Sequence, residues 1–337
     1  MQPQPAASPS PFLIFDTLNA FQRSAALKGA IELNLFTAIA EGNTTADQIA
    51  VHCQATVRGT RILCDSLVTY GLLTKSDGRY ALTPDTATFL DRRSPAYMGG
   101  VADFLCHPEL AKGWSNIAAN VRKGGSTLPG DGTLNIENEL WVRFAQGMAA
   151  MMMPAAQRIA GLLGTDAPLR VLDIAAGHGM YGISIAKSNP KADITALDWA
   201  NVLAVAKDNA SKMGIADRYH TIEGSFFDCA LGSGYDVVLL TNFLHHFDQP
   251  TCVGIIRKAR AALKDGGKIV TVEFVPNEDR VTPPVPAVFS LTMLAGTPSG
   301  DAYTFAELSN MFREAGLAKT ERHEVMPGHP QTILISE

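Results

Sequence analysis

The sequence predicts an α/β protein in two parts: a mostly helical N-terminal half, then a domain built on a parallel sheet with helices on both faces. Three observations carry this. From Leu169 onward, apolar runs of strand length alternate with segments of helical spacing, the pattern that gives parallel strands joined by crossover helices. Over roughly the first 100 residues, apolar side chains recur at helical spacing, with one pair of strand-like runs around Asp77-Gly78. At 337 residues the chain is longer than one average domain requires.

Taken in order, residues 12–39 place Phe15, Leu18, Phe21, Ile31, Leu35 and Ile39 on a helical repeat. Thr45-Ala46-Asp47-Gln48 has the form of a capping box and starts a short helix. Thr56 caps another, with Ile62, Leu63, Leu67 and Val68 on its inner side and Gly71 at its end. Residues 72–74 and 79–82, joined through Ser76-Asp77-Gly78, read as strand, turn, strand. Helices followed by a hairpin make a winged-helix domain over 12–100. Residues 101–165 form a second helical segment, interrupted by a Gly- and Pro-rich loop at 124–132. Trp141, Phe144, Met148, Met151 and Met152 fall on one face there, and Pro154 should end or kink the helix. Strands are expected at 169–175, 192–198, 218–223, 235–241 and 267–275, with helices at 181–188, 202–213 and 251–263. A Pro-rich loop at 276–286 precedes helices at 287–295 and 305–315. Two last strands, 320–325 and 331–335, turn at Pro327-Gly328. Residues 166–337 thus form a Rossmann-like domain.

Composition narrows the function. Hydrophobic residues make up 46% and charged residues 18%, enough apolar material for a sizeable core. Net charge is −5, and residues 1–100 hold eight basic and eight acidic side chains. A winged-helix regulator needs a basic face for phosphates, whereas the helix after Thr56 offers only Arg58 and Arg61. No nucleic-acid partner is therefore expected. The five cysteines are scattered and form no CxxC pair, against a zinc site or a disulfide framework. Residues 1–11 are Pro-, Ala- and Ser-rich without a charged side chain and read as a frayed tail rather than a signal peptide. No window has the ~18 uninterrupted apolar residues of a membrane span, so the expected location is the cytoplasm, with no membrane partner.

The chemistry starts at Val171-Leu172-Asp173-Ile174-Ala175-Ala176-Gly177-His178-Gly179-Met180-Tyr181-Gly182. Gly177, Gly179 and Gly182 fit GxGxxG between a strand and a helix, which suits NAD and S-adenosylmethionine alike. Asp173 favours the second: a dinucleotide would set its pyrophosphate here, where a carboxylate repels it, while S-adenosylmethionine brings an ammonium and a sulfonium. Asp198, at the end of the second strand, can accept from both ribose hydroxyls of either cofactor. His245 and His246 follow the fourth strand and Glu273 ends the fifth, so all three reach the ligand edge of the sheet. A histidine suits deprotonation of a phenol, and a carboxylate can fix its tautomer. Helices over this edge supply pocket candidates: Phe104, His107, Trp141, Phe144, Met148, Met152, Phe289 and Met293, side chains that suit a flat apolar acceptor.

On these motifs the chain resembles the class I small-molecule O-methyltransferases of plant caffeic-acid type and their bacterial relatives in secondary metabolism. Residues 171–179 match the family's glycine motif, with Ala175 and Ala176 where glycines are usual. Leu197-Asp198-Trp199-Ala200-Asn201-Val202-Leu203 is similar to its second motif. Glu223-Gly224-Ser225-Phe226-Phe227-Asp228 is similar to its third, with Ser225 replacing an acidic residue. The resemblance implies cofactor contacts at Asp173, Ala175, Gly177, Gly179, Asp198, Trp199, Ser225, Phe226 and Asn242. His245 stands at the base and Glu273 at a carboxylate that orients it; His246, by itself, reads as structural or as a wall of the acceptor pocket. A second such carboxylate has no clear match: its position falls near Ala302, beside Asp301. The resemblance also implies a winged-helix dimerisation domain, hence a homodimer, S-adenosylmethionine as cofactor with S-adenosylhomocysteine as product, no metal, and a small, aromatic acceptor methylated on a hydroxyl. Some family members instead catalyse hydroxylation, decarboxylation or cyclisation.

Overall fold

A computed structural model describes residues 9–135 and 138–337; most of the expected N-terminal tail lies outside the described residues. The chain divides into two compact units that meet at Ala102/Asp103.

In the first unit, α1 (Phe12–Glu32), α2 (Leu35–Ala40), α3 (Ala46–His52) and α4 (Val57–Thr69) precede the hairpin β1 (Leu73–Ser76) and β2 (Arg79–Leu82), with α5 (Pro84–Phe89) after it. The expected caps form: Thr45 and Gln48 close a reciprocal capping box on α3, and Thr56 accepts from the Gly59 amide on α4. Ala30, Leu35, Phe36, Ile39, Ile49, Cys64, Leu67, Leu73 and Tyr80 make one buried core. Ile62 is not part of it; it lies on the outer side of α4 and is exposed. The first half of α1 is also outside it: Phe12, Leu13, Ile14, Phe15, Leu18 and Phe21 are each 57–81% exposed.

The helix α6 (Val101–Leu105) runs through the boundary. The second unit continues with α7 (Pro108–Ser115), α8 (Ile117–Lys123), α9 (Glu139–Gly147) and α10 (Ala149–Leu163). Here the expected single face is split. The chain breaks at Gly147–Met148, and Pro154 sits inside α10 without ending it. A proline's ring presses on the turn before it, and the break falls just beyond that turn. Because the repeat is interrupted, Met151 turns outward and is 40% exposed, while Met148 and Met152 stay buried.

The sheet follows with β3 (Leu169–Ile174), α11 (Met180–Ser188), β4 (Ala192–Asp198), α12 (Ala200–Lys212), β5 (Tyr219–Glu223), β6 (Tyr235–Thr241), α13 (Gln249–Ala261), β7 (Leu263–Glu273), α14 (Pro284–Gly296), α15 (Phe305–Glu314), β8 (Thr320–Glu324) and β9 (Thr332–Ser336). Its spatial order is β5-β4-β3-β6-β7-β9-β8. The first five are parallel, and β9 runs antiparallel to both β7 and β8. The central strands are buried over their middles: Val171, Leu172, Ile194, Val238, Leu239 and Val270 have no exposed surface, as a sheet covered on both faces requires. The direction of strand addition reverses at β3/β6, the place where open α/β sheets leave a crevice at their carboxyl ends.

Candidate active site

Five strand ends deliver the expected residues to that crevice. After β3 the backbone enters the left-handed region at Ala175 (φ 53°), Gly177 (φ 57°) and Gly179 (φ 74°) before α11 begins. The end of β4 holds this loop: Asp198 accepts the Gly177 amide on one oxygen (2.8 Å) and the Trp199 amide on the other (2.7 Å). Burial pushes the Asp198 carboxyl up to about 6, against those two amides. Two glycines are required by space. A Cβ on Gly179 would lie 2.5 Å from the Tyr219 hydroxyl, and one on Gly182 would lie 2.6 Å from Ile194 Cγ2.

Asp173, with no exposed surface, accepts the Gly182 amide on Oδ2 (3.3 Å), while its Oδ1 has no hydrogen-bond partner among the described residues. Burial, reinforced by Asp198 and opposed by the Gly182 amide, pushes its carboxyl up to about 8. His178, between the two glycines, is fully inside. Its Nδ1 accepts the Met180 amide (3.0 Å) and its ring stacks on Phe144 at 5.9 Å. Burial holds its pKa down at about 4. In the sequence it is only the variable position of GxG, and nothing local marks it as the floor of an aromatic layer.

The other expected cofactor residues are placed as follows. Trp199 caps α12. The Ser225 hydroxyl accepts the Phe227 amide (3.1 Å), closing the turn after β5, and Phe226 is buried edge-on against Phe243 at 5.8 Å. Asn242, left-handed at φ 53°, spends its side chain within the protein. It donates to the Tyr181 hydroxyl (3.0 Å) and accepts from Gln331 (2.6 Å). Tyr181 and Gln331 come from α11 and the turn before β9, a junction that no linear motif announces.

The neighbouring ends of β6 and β7 bring the two catalytic candidates together. Thr241 pairs with Val272 in the register, so the single turn at Leu244–His246 stands beside Glu273. Glu273 accepts the Phe243 and Leu244 amides on Oε1 (3.1 and 2.9 Å), and its Oε2 pairs with His245 Nδ1. Both side chains are buried. Asp301 does not face the imidazole: its amide donates to the His245 carbonyl (3.0 Å) and its carboxylate pairs with Arg280 (3.4 Å). It fixes the backbone of His245 rather than its ring. His246 lies 4.3 Å from the His245 ring and 5.3 Å, edge-on, from Trp141. Its burial, with His245 adding to it, drives its pKa well below the usual value, so it is neutral.

The pocket candidates form two groups. Trp141, tied by its indole N–H to the Thr133 carbonyl (2.8 Å), meets His246, while Phe289 meets His245 at 4.9 Å and stacks on Phe274. Phe104 and Phe144 pack together at 5.1 Å, with Phe144 over His178. Met148, Met152 and Met293 are buried. His107 has a local task, its Nδ1 accepting the Glu109 amide (3.3 Å) as the cap of α7. The His245 imidazole thus has Nδ1 against a carboxylate, with the rings of Phe289 and His246 packed edge-on against it.

Residues 133–318 match the family model described as an O-methyltransferase domain, and residues 15–92 match the O-methyltransferase dimerisation domain. The 3-hydroxy-5-methyl-1-naphthoate 3-O-methyltransferase of Streptomyces sahachiroi is 30% identical over 312 residues, 92% of this chain and 90% of the relative. A crystal structure of a candidate O-methyltransferase from Nostoc punctiforme superposes with a TM-score of 0.93 at 49% identity, covering 98% of this chain and 99% of that one. An O-methyltransferase of neocarzinostatin biosynthesis, solved with S-adenosylmethionine and 2-hydroxy-5-methyl naphthoic acid, superposes with a TM-score of 0.74 at 25% identity, covering 93% and 95%.

Proposed function

The chain belongs to the O-methyltransferase family, whose methyl donor is S-adenosylmethionine, and on that premise we propose the following roles for its residues. His245 is the general base that takes the proton of an acceptor hydroxyl, and Glu273 is the carboxylate that orients it. The observation that carries this reading is the buried His245–Glu273 pair, with the second oxygen of Glu273 held by two backbone amides. With Nδ1–H donated to Glu273, the lone pair lies on Nε2, and the carboxylate stabilises the imidazolium formed when the proton arrives.

When bound, S-adenosylmethionine supplies a methyl group already activated by its sulfonium. The residues at its expected place fit it. Asp173 Oδ1 is a buried acceptor without a partner among the described residues, suited to the cationic amino-acid end and hostile to a pyrophosphate. Each Asp198 oxygen takes one amide and has capacity left for a ribose hydroxyl. Ala175, Gly177, Gly179, Trp199, Ser225, Phe226 and the backbone of Asn242 complete this lining.

The acceptor is a phenol on a small or fused aromatic ring. Trp141, Phe144, Phe289, Met148, Met152 and Met293, with His246 as a neutral wall, offer flat and polarisable contacts, while Phe104 backs Phe144. The hydroxynaphthoates named for the relatives support the same class. We read residues 12–100 as a winged-helix dimerisation domain, 101–165 as the pocket segment and 166–337 as the cofactor domain of a cytoplasmic homodimer that binds no nucleic acid. A gel shift at low salt tests the last point.

A general base typically contributes ~10²–10⁴-fold to rate. His245→Ala should lose turnover of that size on a phenol found by screening, with S-adenosylhomocysteine affinity nearly unchanged by calorimetry. His246→Ala should lose far less. Near-normal turnover in His245→Ala would remove the base from the mechanism.

A further inference from the structure

The turn that carries His245 is launched from a residue in an unfavourable conformation. Asn242, directly after β6, is left-handed at φ 53°. Asparagine enters this region more readily than most residues, but a non-glycine persists there where its surroundings hold it. Here the hold is complete at three atoms. The Asn242 amide donates to the Val272 carbonyl (2.8 Å), its Nδ2 donates to the Tyr181 hydroxyl (3.0 Å), and its Oδ1 accepts from Gln331 Nε2 (2.6 Å). The next two amides, of Phe243 and Leu244, are the pair taken by Glu273 Oε1. Both side-chain anchors are buried. Tyr181 lies in the first turn of α11, its hydroxyl 3.6 Å from Met152 Sδ. Gln331 directly precedes Thr332, the register partner of Glu273, and its own amide donates to His329 Nδ1 (3.2 Å). Gln331 therefore reaches from the strand beside Glu273 to the residue from which the His245 turn departs.

We propose that Gln331 is a positioning residue for methyl transfer: it holds Asn242 from the β9 side while Tyr181 holds it from α11, and together they keep the left-handed kink that sets the His245 turn in place. This rests on the reading of His245 as the base. Neither Gln331 nor Tyr181 touches the His245–Glu273 pair, so losing one of them leaves that pair chemically intact. What changes is where the turn sits. A small displacement of a reacting group is costly in rate, while the groups expected to bind cofactor and acceptor stay as they are. The same relay ties α11, the helix opened by the glycine loop, to the turn that carries the base, so the two halves of the site keep one spacing.

The test pairs single-turnover kinetics on a phenol found by screening with calorimetric titration of S-adenosylhomocysteine, both on the full-length protein. Gln331→Met keeps the length of the side chain and removes the donor. It should lower the single-turnover rate about tenfold, with acceptor KM and S-adenosylhomocysteine affinity each within about twofold of wild type. Tyr181→Phe removes the contact on the other side of Asn242 and should show the same loss confined to rate; it carries the test if Gln331→Met is unfolded. Because both act through one residue, the double variant should fall no more than about threefold below the slower single one. Glycine takes a positive φ unaided, so in an Asn242→Gly background Gln331→Met should change the rate by less than about twofold. An unchanged rate, a loss that appears in S-adenosylhomocysteine affinity instead, or a tenfold loss that persists in the Asn242→Gly background would overturn the proposal. Two single variants that both lack wild-type circular dichroism would overturn it as well, since the contacts would then serve the fold. A wild-type rate in His245→Ala would instead sink the base reading, and this one with it.

Discussion

Asp173 has no solvent contact and a single amide for its two oxygens. Its carboxyl is accordingly shifted to about 8, against about 3.9 in an unfolded chain. Between those values the folded protein holds a proton that the unfolded chain releases. Stability from this group is therefore present at low pH and is lost as pH rises toward 8. Asp198, at about 6, acts with the same sign over a narrower window. His178, depressed to about 4, acts oppositely, but only below the unfolded histidine value of about 6.5. The interval from pH 6.5 to 8.5 thus isolates Asp173 from both. Without cofactor, thermal unfolding of the wild type should move to lower temperature across that interval, and Asp173→Asn should flatten the slope. Asp173→Asn should also bind S-adenosylhomocysteine at least tenfold more weakly, because it removes a charge-assisted contact. A wild-type curve that is flat or rises over the interval would show that Asp173 is already ionised in the folded state.

At the scale of elements, the strand–loop–helix from β3 to α11 is fixed by what cannot fit. Gly182 approaches β4 so closely that an added methyl would meet Ile194 at 2.6 Å. Ile194 is fully buried and has no room to yield. Gly182→Ala should therefore cost about 1–3 kcal/mol as an overpacked core, a fall of roughly 2–4 °C in Tm per kcal/mol for a domain of this size. An unchanged Tm would mean that α11 can slide on the sheet. The same loop shows what a sequence can and cannot carry. Asp173, Gly177, Gly179 and Asp198 follow strand periodicity and glycine spacing, both local signals, and β4 and β6 were readable to their ends because their mainly apolar runs stop at Asp198 and Thr241. His245 and Glu273 were readable as neighbours because parallel strands set their ends side by side. The Asn242–Tyr181–Gln331 linkage joins three separate parts of the chain and the placement of Tyr219 under Gly179 joins two, with no spacing to betray them. Pro154 does not end its helix, because a proline announces strain in the turn before its ring but not where the chain releases it; the break comes earlier, at Gly147–Met148.

At the scale of the whole molecule, the first half of α1 is apolar on all sides yet bare in the single chain. Six large side chains between Phe12 and Phe21 stay mostly exposed, whereas a helix apolar all round is normally one that is covered. Burying a Leu, Ile or Phe side chain contributes about 1.5–3 kcal/mol, so six of them supply on the order of 10 kcal/mol per chain. That is enough to offset an association cost estimated at about 4–15 kcal/mol when two copies contribute the same patch. The match of residues 15–92 to the O-methyltransferase dimerisation domain supports a second copy of this chain as the cover. Light scattering of the full-length protein should give twice the chain mass at micromolar concentration. Because the patch is apolar, the dimer should persist at 1 M salt, where exposed ion pairs are screened within about 3 Å. Leu18→Asp with Phe21→Asp should yield monomers whose circular dichroism is unchanged, since neither side chain belongs to the core of the first unit. A monomeric wild type, or a dimer untouched by the double substitution, would place the interface elsewhere.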